Sequence, residues 1–215
     1  MKSYKITVLP GDGIGPEITK VTYKILDLVS KKFDFELKFK EMPFGGSAID
    51  SEGIPFPEKT LEECKNSDAI LLAAIGDPKY DQFPREKRPE TGLLKLRSSL
   101  DLFANIRPVK IIPSLTEASS LKEEFVSEVD LVVVRELTSG IYFGEPKGRI
   151  KTEKGERAFN TMTYTSEEVN RIAEIAFKLA KQRNQKVCSV DKANVLDVSQ
   201  LWREETILVS NKYKE

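Results

Sequence analysis

The 215-residue sequence contains no histidine, and this absence excludes several kinds of active site at once. Without an imidazole, the protein has no Ser-His-Asp triad, no Cys-His pair and no His-bearing zinc site. Any proton transfer must therefore depend on lysine, tyrosine, arginine and carboxylate side chains.

Cysteine is scarce, because Cys64 and Cys188 are the two thiols of the chain. Each lies in a segment that we interpret as regular secondary structure, and neither has a partner nearby in sequence. This pattern favours reduced, structural thiols over a disulfide framework. We do not expect either to be a nucleophile.

The sequence has no excess of either charge, since 34 Lys and Arg residues balance 34 Asp and Glu residues. No overall field would attract nucleic acid or an anionic membrane. The longest apolar run, AILLAAI at 69–75, is too short to span a membrane, and the amino terminus lacks the apolar core of a signal peptide. We expect a globular, soluble, cytoplasmic protein that binds neither nucleic acid nor membranes.

Strand-like and helix-like segments alternate in the first part of the chain, which predicts an α/β fold. The strand YKITVLP leads through the turn GDGIG into a helix that we expect to bury an apolar stripe against a sheet. That stripe consists of Ile18, Val21, Ile25 and Leu28. The apolar segment SDAILLAAIGD predicts a strand covered by helices on both faces. The helix ETGLLKLRSSL and a long strand, LFANIRPVKII, follow.

The pattern changes after about residue 105, which predicts a second lobe, so we expect lobes at 1–104 and 105–215. DLVVVREL and AFNTMTYT are predicted strands. Thr165 and Glu168 form a capping box at the start of a helix. The buried stripe of this helix is expected to be Val169, Ile172, Ala176 and Leu179. A strand, KVCSVDK, and a last helix complete the lobe.

The loop GDGIGP does not match the dinucleotide-binding fingerprint of Rossmann folds. Pro16 occupies the position of the third glycine, and no acidic residue ends a second strand at the required distance. We therefore interpret this loop as a tight turn and predict a non-Rossmann fold.

Three arginines are candidates for binding an anion. Arg135 lies inside the apolar run VVVREL, where an unpaired guanidinium would be costly to bury. Arg97 lies in a predicted helix on the side opposite some of its leucines, and Arg107 follows a predicted strand. An arginine can bind a carboxylate with two parallel hydrogen bonds, so three converging arginines suit an acid with several carboxylates. The alternative is a structural ion pair, for instance of Arg135 with Glu136 or Glu145.

Three long segments carry a resemblance to a known family. GLLKLRSSLDLFANIRPVK, VVVRELTSGIYFGEPKG and SVDKANVLDVSQLWRE resemble, in order, substrate-binding segments of the isocitrate/isopropylmalate dehydrogenase family, most closely its isopropylmalate branch. The resemblance extends along essentially the whole chain, which is similar to the amino-terminal part of such enzymes. It implies a two-lobe α/β fold, incomplete at the carboxyl end, and NAD-dependent oxidative decarboxylation of a branched malate in leucine biosynthesis.

The resemblance also implies roles for individual residues. Arg97, Arg107 and Arg135 would hold the malate carboxylates, while Tyr142 and Lys192 would transfer protons. Lys192 would have to be neutral to act as a base, which requires a pKa lowered by burial or by nearby positive charge. Judged without the resemblance, Tyr142 would be a packing aromatic and Lys192 a solvated charge.

Specificity and cofactor binding are implied at further positions. Leu93, Leu94 and Val195 would form an apolar wall around the isopropyl group, although one of the two leucines could face the core instead. The implied contacts of the first NAD-binding loop and its neighbours are Gly76, Asp77, Pro78, Lys79, Glu90 and Asn194. Here Asp77 and Tyr80 depart from the Gly and Trp common in the family, so the details of this loop are open.

The resemblance implies a Mg²⁺ or Mn²⁺ ion whose aspartate ligands lie beyond residue 215, and a homodimer for the full-length family in which the lysine acts across the interface. We therefore expect this chain alone to have little or no dehydrogenase activity. Three alternatives stay open. The substrate could be tartrate, homoisocitrate or isocitrate, the protein could be a non-catalytic regulatory subunit, or the sequence could be an incomplete product without a function of its own.

Overall fold

A parallel sheet organises the first of the two units into which the chain divides, Met1–Asp101. The computed structural model describes residues 1–213. The strand order is β2-β1-β3, so the first strand is central. The strands are β1 (Lys2–Gly11), β2 (Phe35–Glu41) and β3 (Ala69–Ala74), and the helices of this unit are α1 (Gly15–Lys32), α2 (Gly46–Glu52), α3 (Glu58–Lys65) and α4 (Pro89–Ser99).

The core of this unit lies beneath the central strand. Val8 and Leu9 of β1 are fully buried, as their position between two parallel strands requires. The rings of Phe44 and Phe56 pack edge to face with centroids 5.4 Å apart. The cluster consists of Leu9, Phe44, Phe56, Leu61, Cys64 and Leu96.

The predicted burial of the apolar stripe of α1 is wrong for the described residues. Its members are exposed to 41, 54, 55 and 67%, in the order Ile18, Val21, Ile25 and Leu28. A different face of the helix meets the sheet, because the Tyr23 ring packs on Phe39 of β2 with centroids 4.9 Å apart. Full cover of β3 on both faces is also wrong here, since Ala69 is exposed and the rest of the strand is half-buried.

An antiparallel ladder begins the second unit, Leu102–Glu215. It joins β4 (Ala104–Lys110) to β5 (Asp130–Glu136), and a short helix, α5 (Glu123–Val126), lies between them in sequence. A hairpin of β6 (Gly148–Thr152) and β7 (Gly155–Phe159) follows, and then α6 (Ser166–Lys181) and α7 (Asp197–Ser210). The predicted strand AFNTMTYT ends early, at Phe159. Within residues 1–213, no helix is both long and apolar enough to cross a membrane.

The capping box at the start of α6 is confirmed. The Glu168 backbone N–H donates to Thr165 Oγ1 at 3.3 Å, and the Thr165 N–H donates to Glu168 Oε2 at 2.8 Å. Val169 and Ile172 are buried, while Ala176 and Leu179 of the same predicted stripe are half-buried. Local sequence therefore sets both the start of this helix and the face that it buries.

The predicted strand KVCSVDK is wrong, because residues 186–192 have no regular structure and pair with none of the described strands. Val190 in this segment is 85% exposed. Cys188 is also exposed, so its predicted structural role is wrong as well. Cys64 behaves as expected, since it is buried in α3 and burial raises the pKa of its thiol to about 11.

Candidate functional site

Two of the predicted arginines lie on one face of the β4–β5 ladder. Arg135 is directly opposite Asn105, and Arg107 is two residues further along β4. Opposite residues, and residues two apart on one strand, project from the same face of a sheet. Arg107 and Arg135 are therefore diagonal neighbours, and Arg107 Nε also donates to Asn105 Oδ1 at 2.6 Å.

Tyr142 joins this pair of arginines. The turn Gly140–Tyr142 follows β5, and it places the Tyr142 ring centroid 5.3 Å from the guanidinium carbon of Arg135. This is the range of a cation–π contact. Because Tyr142 is 53% exposed, its phenol remains accessible to a ligand.

The alternative ion pairs of Arg135 are not formed. Glu136 pairs instead with Arg171 of α6 at 3.1 Å, and Glu145 pairs with Lys147 at 3.0 Å. Within residues 1–213, Arg135 forms no salt bridge. Its half-buried guanidinium is therefore oriented by the Tyr142 ring and lacks a carboxylate partner in this part of the chain.

Glu136 holds the turn that carries Tyr142. Its side chain is 1% exposed, and its Oε2 accepts the backbone N–H groups of Thr138 at 3.0 Å and Ser139 at 2.9 Å. Its other oxygen accepts from the Thr138 hydroxyl and from Arg171. A buried carboxylate with four donors fixes the chain that leads directly into Gly140.

Gly140 allows a second aromatic side chain to approach this turn. Its φ is +75°, and a Cβ there would clash with the hydroxyl of Tyr164. The Tyr164 ring packs on Trp202 of α7 with centroids 5.3 Å apart, and burial raises the pKa of its phenol. Trp202 Nε1 in turn donates to Ser189 Oγ at 3.1 Å, which brings the segment before Lys192 towards the same region.

The segment that carries Lys192 is fixed by a neighbouring ion pair. Arg203 of α7 donates to Asp191 Oδ2 at 3.0 Å and to Oδ1 at 2.7 Å, and this hydrogen bonding lowers the pKa of Asp191. The Ala193 N–H also donates to Asp191 Oδ1 at 3.0 Å. The three predicted site residues of this segment are exposed: Lys192, Asn194 and Val195.

The predicted cofactor residues of the first unit lie at the carboxyl end of β3, which is the edge where open parallel sheets bind ligands. Gly76 is exposed with φ +108°, and a Cβ there would meet Glu90 Oε1 at 3.3 Å. Gly76 and Glu90 are therefore adjacent, as a shared cofactor site requires. Lys79 already pairs with Asp50 at 2.7 Å, and its N–H donates to Asp77 Oδ1 at 2.9 Å. Pro78 lies between these residues, at the start of a short 3₁₀ turn.

Asp12 is a buried carboxylate that the sequence interpretation missed. Its Oδ1 accepts the N–H groups of Gly76 at 2.7 Å and Asp77 at 2.8 Å, and its Oδ2 accepts the N–H of Gly46 at 2.6 Å. The loop GDGIGP is thus more than a tight turn. An acidic residue between glycines directly after a buried strand was the available signal.

The remaining predicted substrate residues lie on α4 of the first unit. Leu93 packs against the hydrophobic core, whereas Leu94 and Arg97 are half-buried and Arg97 has an interaction partner. Leu94 is therefore the better candidate for an apolar wall. The predicted meeting of Arg97 with Arg107 and Arg135 stays a prediction.

No metal site is formed by the described part of the chain. Within residues 1–213, no group of three or more His, Cys, Asp or Glu side chains could hold a metal ion. The residues present therefore do not fit the divalent ion that the resemblance implies, and no chemical step is assigned to it.

Comparison with known proteins matches residues 5–215 to the isocitrate/isopropylmalate dehydrogenase family. The chain is 91% identical over 215 residues to the 3-isopropylmalate dehydrogenase of Prochlorococcus marinus (strain NATL2A). It is 61% identical over 215 residues to that of Synechococcus sp. (strain CC9902). The match covers 100% of this chain and 60% of either relative, so the chain spans about three fifths of their length.

Solved structures agree on the fold. The crystal structure of isocitrate dehydrogenase from Methylococcus capsulatus matches with a TM-score of 0.78 at 28% identity, over 98% of this chain and 57% of that one. A β-decarboxylating dehydrogenase from Thermococcus kodakarensis matches with a TM-score of 0.71 at 29% identity, over 98% and 55% respectively. The predicted α/β fold of this family is therefore confirmed.

Proposed function

Because the chain belongs to the isocitrate/isopropylmalate dehydrogenase family, we propose that the protein catalyses the NAD-dependent oxidative decarboxylation of 3-isopropylmalate to 2-oxoisocaproate, in leucine biosynthesis. The relatives named 3-isopropylmalate dehydrogenase, at 91 and 61% identity, support this choice of acid. The observation that carries the proposal is the placement of Arg107 and Arg135 on one face of the β4–β5 ladder, with the Tyr142 ring of the following turn against Arg135.

Arg107 and Arg135 bind the two carboxylates of the acid. Two guanidinium groups on adjacent strands repel each other, and a dianion between them removes that repulsion and gains charge-assisted hydrogen bonds. The Tyr142 ring restricts Arg135, which lowers the conformational entropy lost on binding. Arg97 is proposed as the third carboxylate-binding residue.

Lys192 and Tyr142 transfer the protons. Lys192 removes the proton of the C2 hydroxyl, and NAD, when bound, accepts the hydride from C2. Loss of CO₂ then leaves an enolate, whose negative charge the arginine cluster stabilises. Tyr142 returns a proton to the carbon that has lost the carboxylate, which completes the reaction.

NAD is proposed to bind at Gly76, Asp77, Pro78, Lys79, Glu90 and Asn194. The exposed backbone at Gly76 and its contact with Glu90 support this position. A Mg²⁺ or Mn²⁺ ion belongs to the proposal for the family's full-length enzymes, as does a homodimer. A cytoplasmic location is part of the same proposal.

The proposed apolar wall would discriminate between 3-isopropylmalate and chemically related acids. Leu94, with Val195 and Leu93, would contact the isopropyl group, and discrimination by groups of this size is worth only about 1–3 kcal/mol. The second candidates for the substrate are therefore related acids such as tartrate, homoisocitrate or isocitrate. The similarity of the fold to an isocitrate dehydrogenase structure is the reason to test them.

Binding calorimetry with a panel of acids tests the proposal. The chain is titrated with 3-isopropylmalate, isocitrate and tartrate, and 3-isopropylmalate is expected to bind at least about tenfold more tightly. If isocitrate or tartrate bound more strongly, that acid would be the proposed substrate instead of 3-isopropylmalate. The absence of binding to all three acids would contradict the proposed function. NADH absorbance with added Mg²⁺ separately tests the expectation that this chain alone has little or no dehydrogenase activity.

A further inference from the structure

Asp12 connects three loops at the carboxyl edge of the parallel sheet. It lies between β1 and α1, accepts from Gly46 at the start of α2, and accepts from Gly76 and Asp77 just after β3. All three donors are backbone N–H groups at 2.6–2.8 Å. Asp12 itself is 8% exposed, so these hydrogen bonds form away from bulk water.

The surroundings of Asp12 are built around its carboxylate. A Cβ at Gly45 would lie 2.7 Å from Asp12 Oδ2, and a Cβ at Gly46 would lie 2.7 Å from Asp12 Cβ. Glycines at these positions therefore let the backbone approach the carboxylate. The buried Tyr80 ring also packs against Gly46, where the same Cβ would clash with the ring carbon Cε2, and this leaves little room for the loop to move.

We propose that Asp12 is a positioning residue for the dinucleotide site, which it serves by holding the backbone of Gly76 and Asp77 in the conformation that binds the cofactor. This inference rests on the proposed function, because it assumes that the segment starting at Gly76 binds NAD. Gly76 has φ +108°, one of many conformations open to a glycine, and Asp12 fixes the loop in it with hydrogen bonds to the Gly76 and Asp77 N–H groups. The same anchor keeps Gly76 beside Glu90.

The substitutions D12N and D12A separate this role from general stabilisation. An asparagine has a single acceptor oxygen in place of the two carboxylate oxygens. Its NH₂ group would face a backbone N–H donor of one of the loops and could not accept from it. Both variants should speed hydrogen exchange at the Gly76 and Asp77 amides and raise the Kd for NAD about tenfold or more. Binding of 3-isopropylmalate, whose proposed arginines are elsewhere, should stay within about twofold. D81N is the matched control, because Asp81 is an exposed carboxylate in the same loop.

The measurements are amide exchange by NMR and calorimetry with NAD and with 3-isopropylmalate. An affinity for NAD equal to that of the wild type, in D12N or in a folded D12A, would overturn the inference and leave the proposed function intact. Equal losses of NAD and acid affinity would also overturn it, since they indicate general structural damage. A wild-type chain that binds the acid but no NAD would overturn both this inference and the proposed cofactor.

Discussion

The guanidinium carbon of Arg135 lies 5.3 Å from the centroid of the Tyr142 ring, although the two residues belong to different elements. Arg135 is near the end of β5, and Tyr142 is on the 3₁₀ turn beyond it. Six intervening residues must fold back for this contact to form, and the buried carboxylate of Glu136 holds them in place. A charged side chain is thus oriented by its neighbours before a ligand arrives.

The ring of Tyr142 and its hydroxyl should make separable contributions. Y142F keeps the ring over Arg135, so the Kd for 3-isopropylmalate should stay within about twofold of the wild type. Y142A removes a contact worth about 0.5–1 kcal/mol, which corresponds to a two- to fivefold weaker affinity. Calorimetry on both variants checks this, and equal losses would show that the phenol, not the ring, matters for binding.

Glu136 should dominate the stability of the second unit. E136A removes the buried carboxylate that accepts from Arg171, and it leaves the N–H groups of Thr138 and Ser139 without this acceptor. The free energy of unfolding should fall by about 3–5 kcal/mol, as measured by urea denaturation. E145A, which breaks an exposed pair with Lys147, is the control and should leave the urea midpoint nearly unchanged. Equal shifts for the two variants would contradict this view of Glu136.

Lowering the pH should destabilise the segment before α7 that contains Asp191. The pKa of Asp191 is lowered, mainly by its hydrogen bonds to Arg203, so its stabilising contribution is present above its ordinary pKa of 3.8. That contribution is lost as the pH falls through the lower pKa of the folded state. In R203Q the pKa should rise towards its ordinary value, which carboxyl NMR titration measures. An unchanged Asp191 titration in R203Q would contradict the assignment.

The two cysteines should differ sharply in reactivity. Cys188 is exposed, whereas burial raises the pKa of Cys64 to about 11. A disulfide reagent should therefore label one thiol in the native protein and the second only after unfolding. C188S should abolish native labelling, and labelling of C188S at the rate of the wild type would show that Cys64 is accessible.

Local signals in the sequence predicted α6 and its cap correctly, because Thr165 and Glu168 satisfy each other's backbone within one turn. Predictions that depended on contacts between residues far apart in sequence were wrong more often. The stripe of α1 that includes Val21 has the right period for burial, but Tyr23 determines which face meets the sheet. The apolar segment KVCSVDK has strand-forming residues, yet none of the described strands pairs with it.

In the candidate site, too, contacts between residues distant in sequence could not be predicted from local patterns. The cross-strand register, which no single segment encodes, decides that Arg107 and Arg135 share a face, so the resemblance could name these residues but the pattern could not place them. Asp12 was missed because its three donors come from segments more than thirty residues away. Contacts of this range depend on how the strands are ordered in the sheet.

Calorimetry of R135Q with 3-isopropylmalate tests the central claim most directly, with R149Q as the control because Arg149 is an exposed arginine on β6 of the same unit. If Arg135 binds a carboxylate of the acid, R135Q should raise the Kd at least about tenfold, while R149Q should change it less than twofold. Wild-type affinity in R135Q would contradict the account.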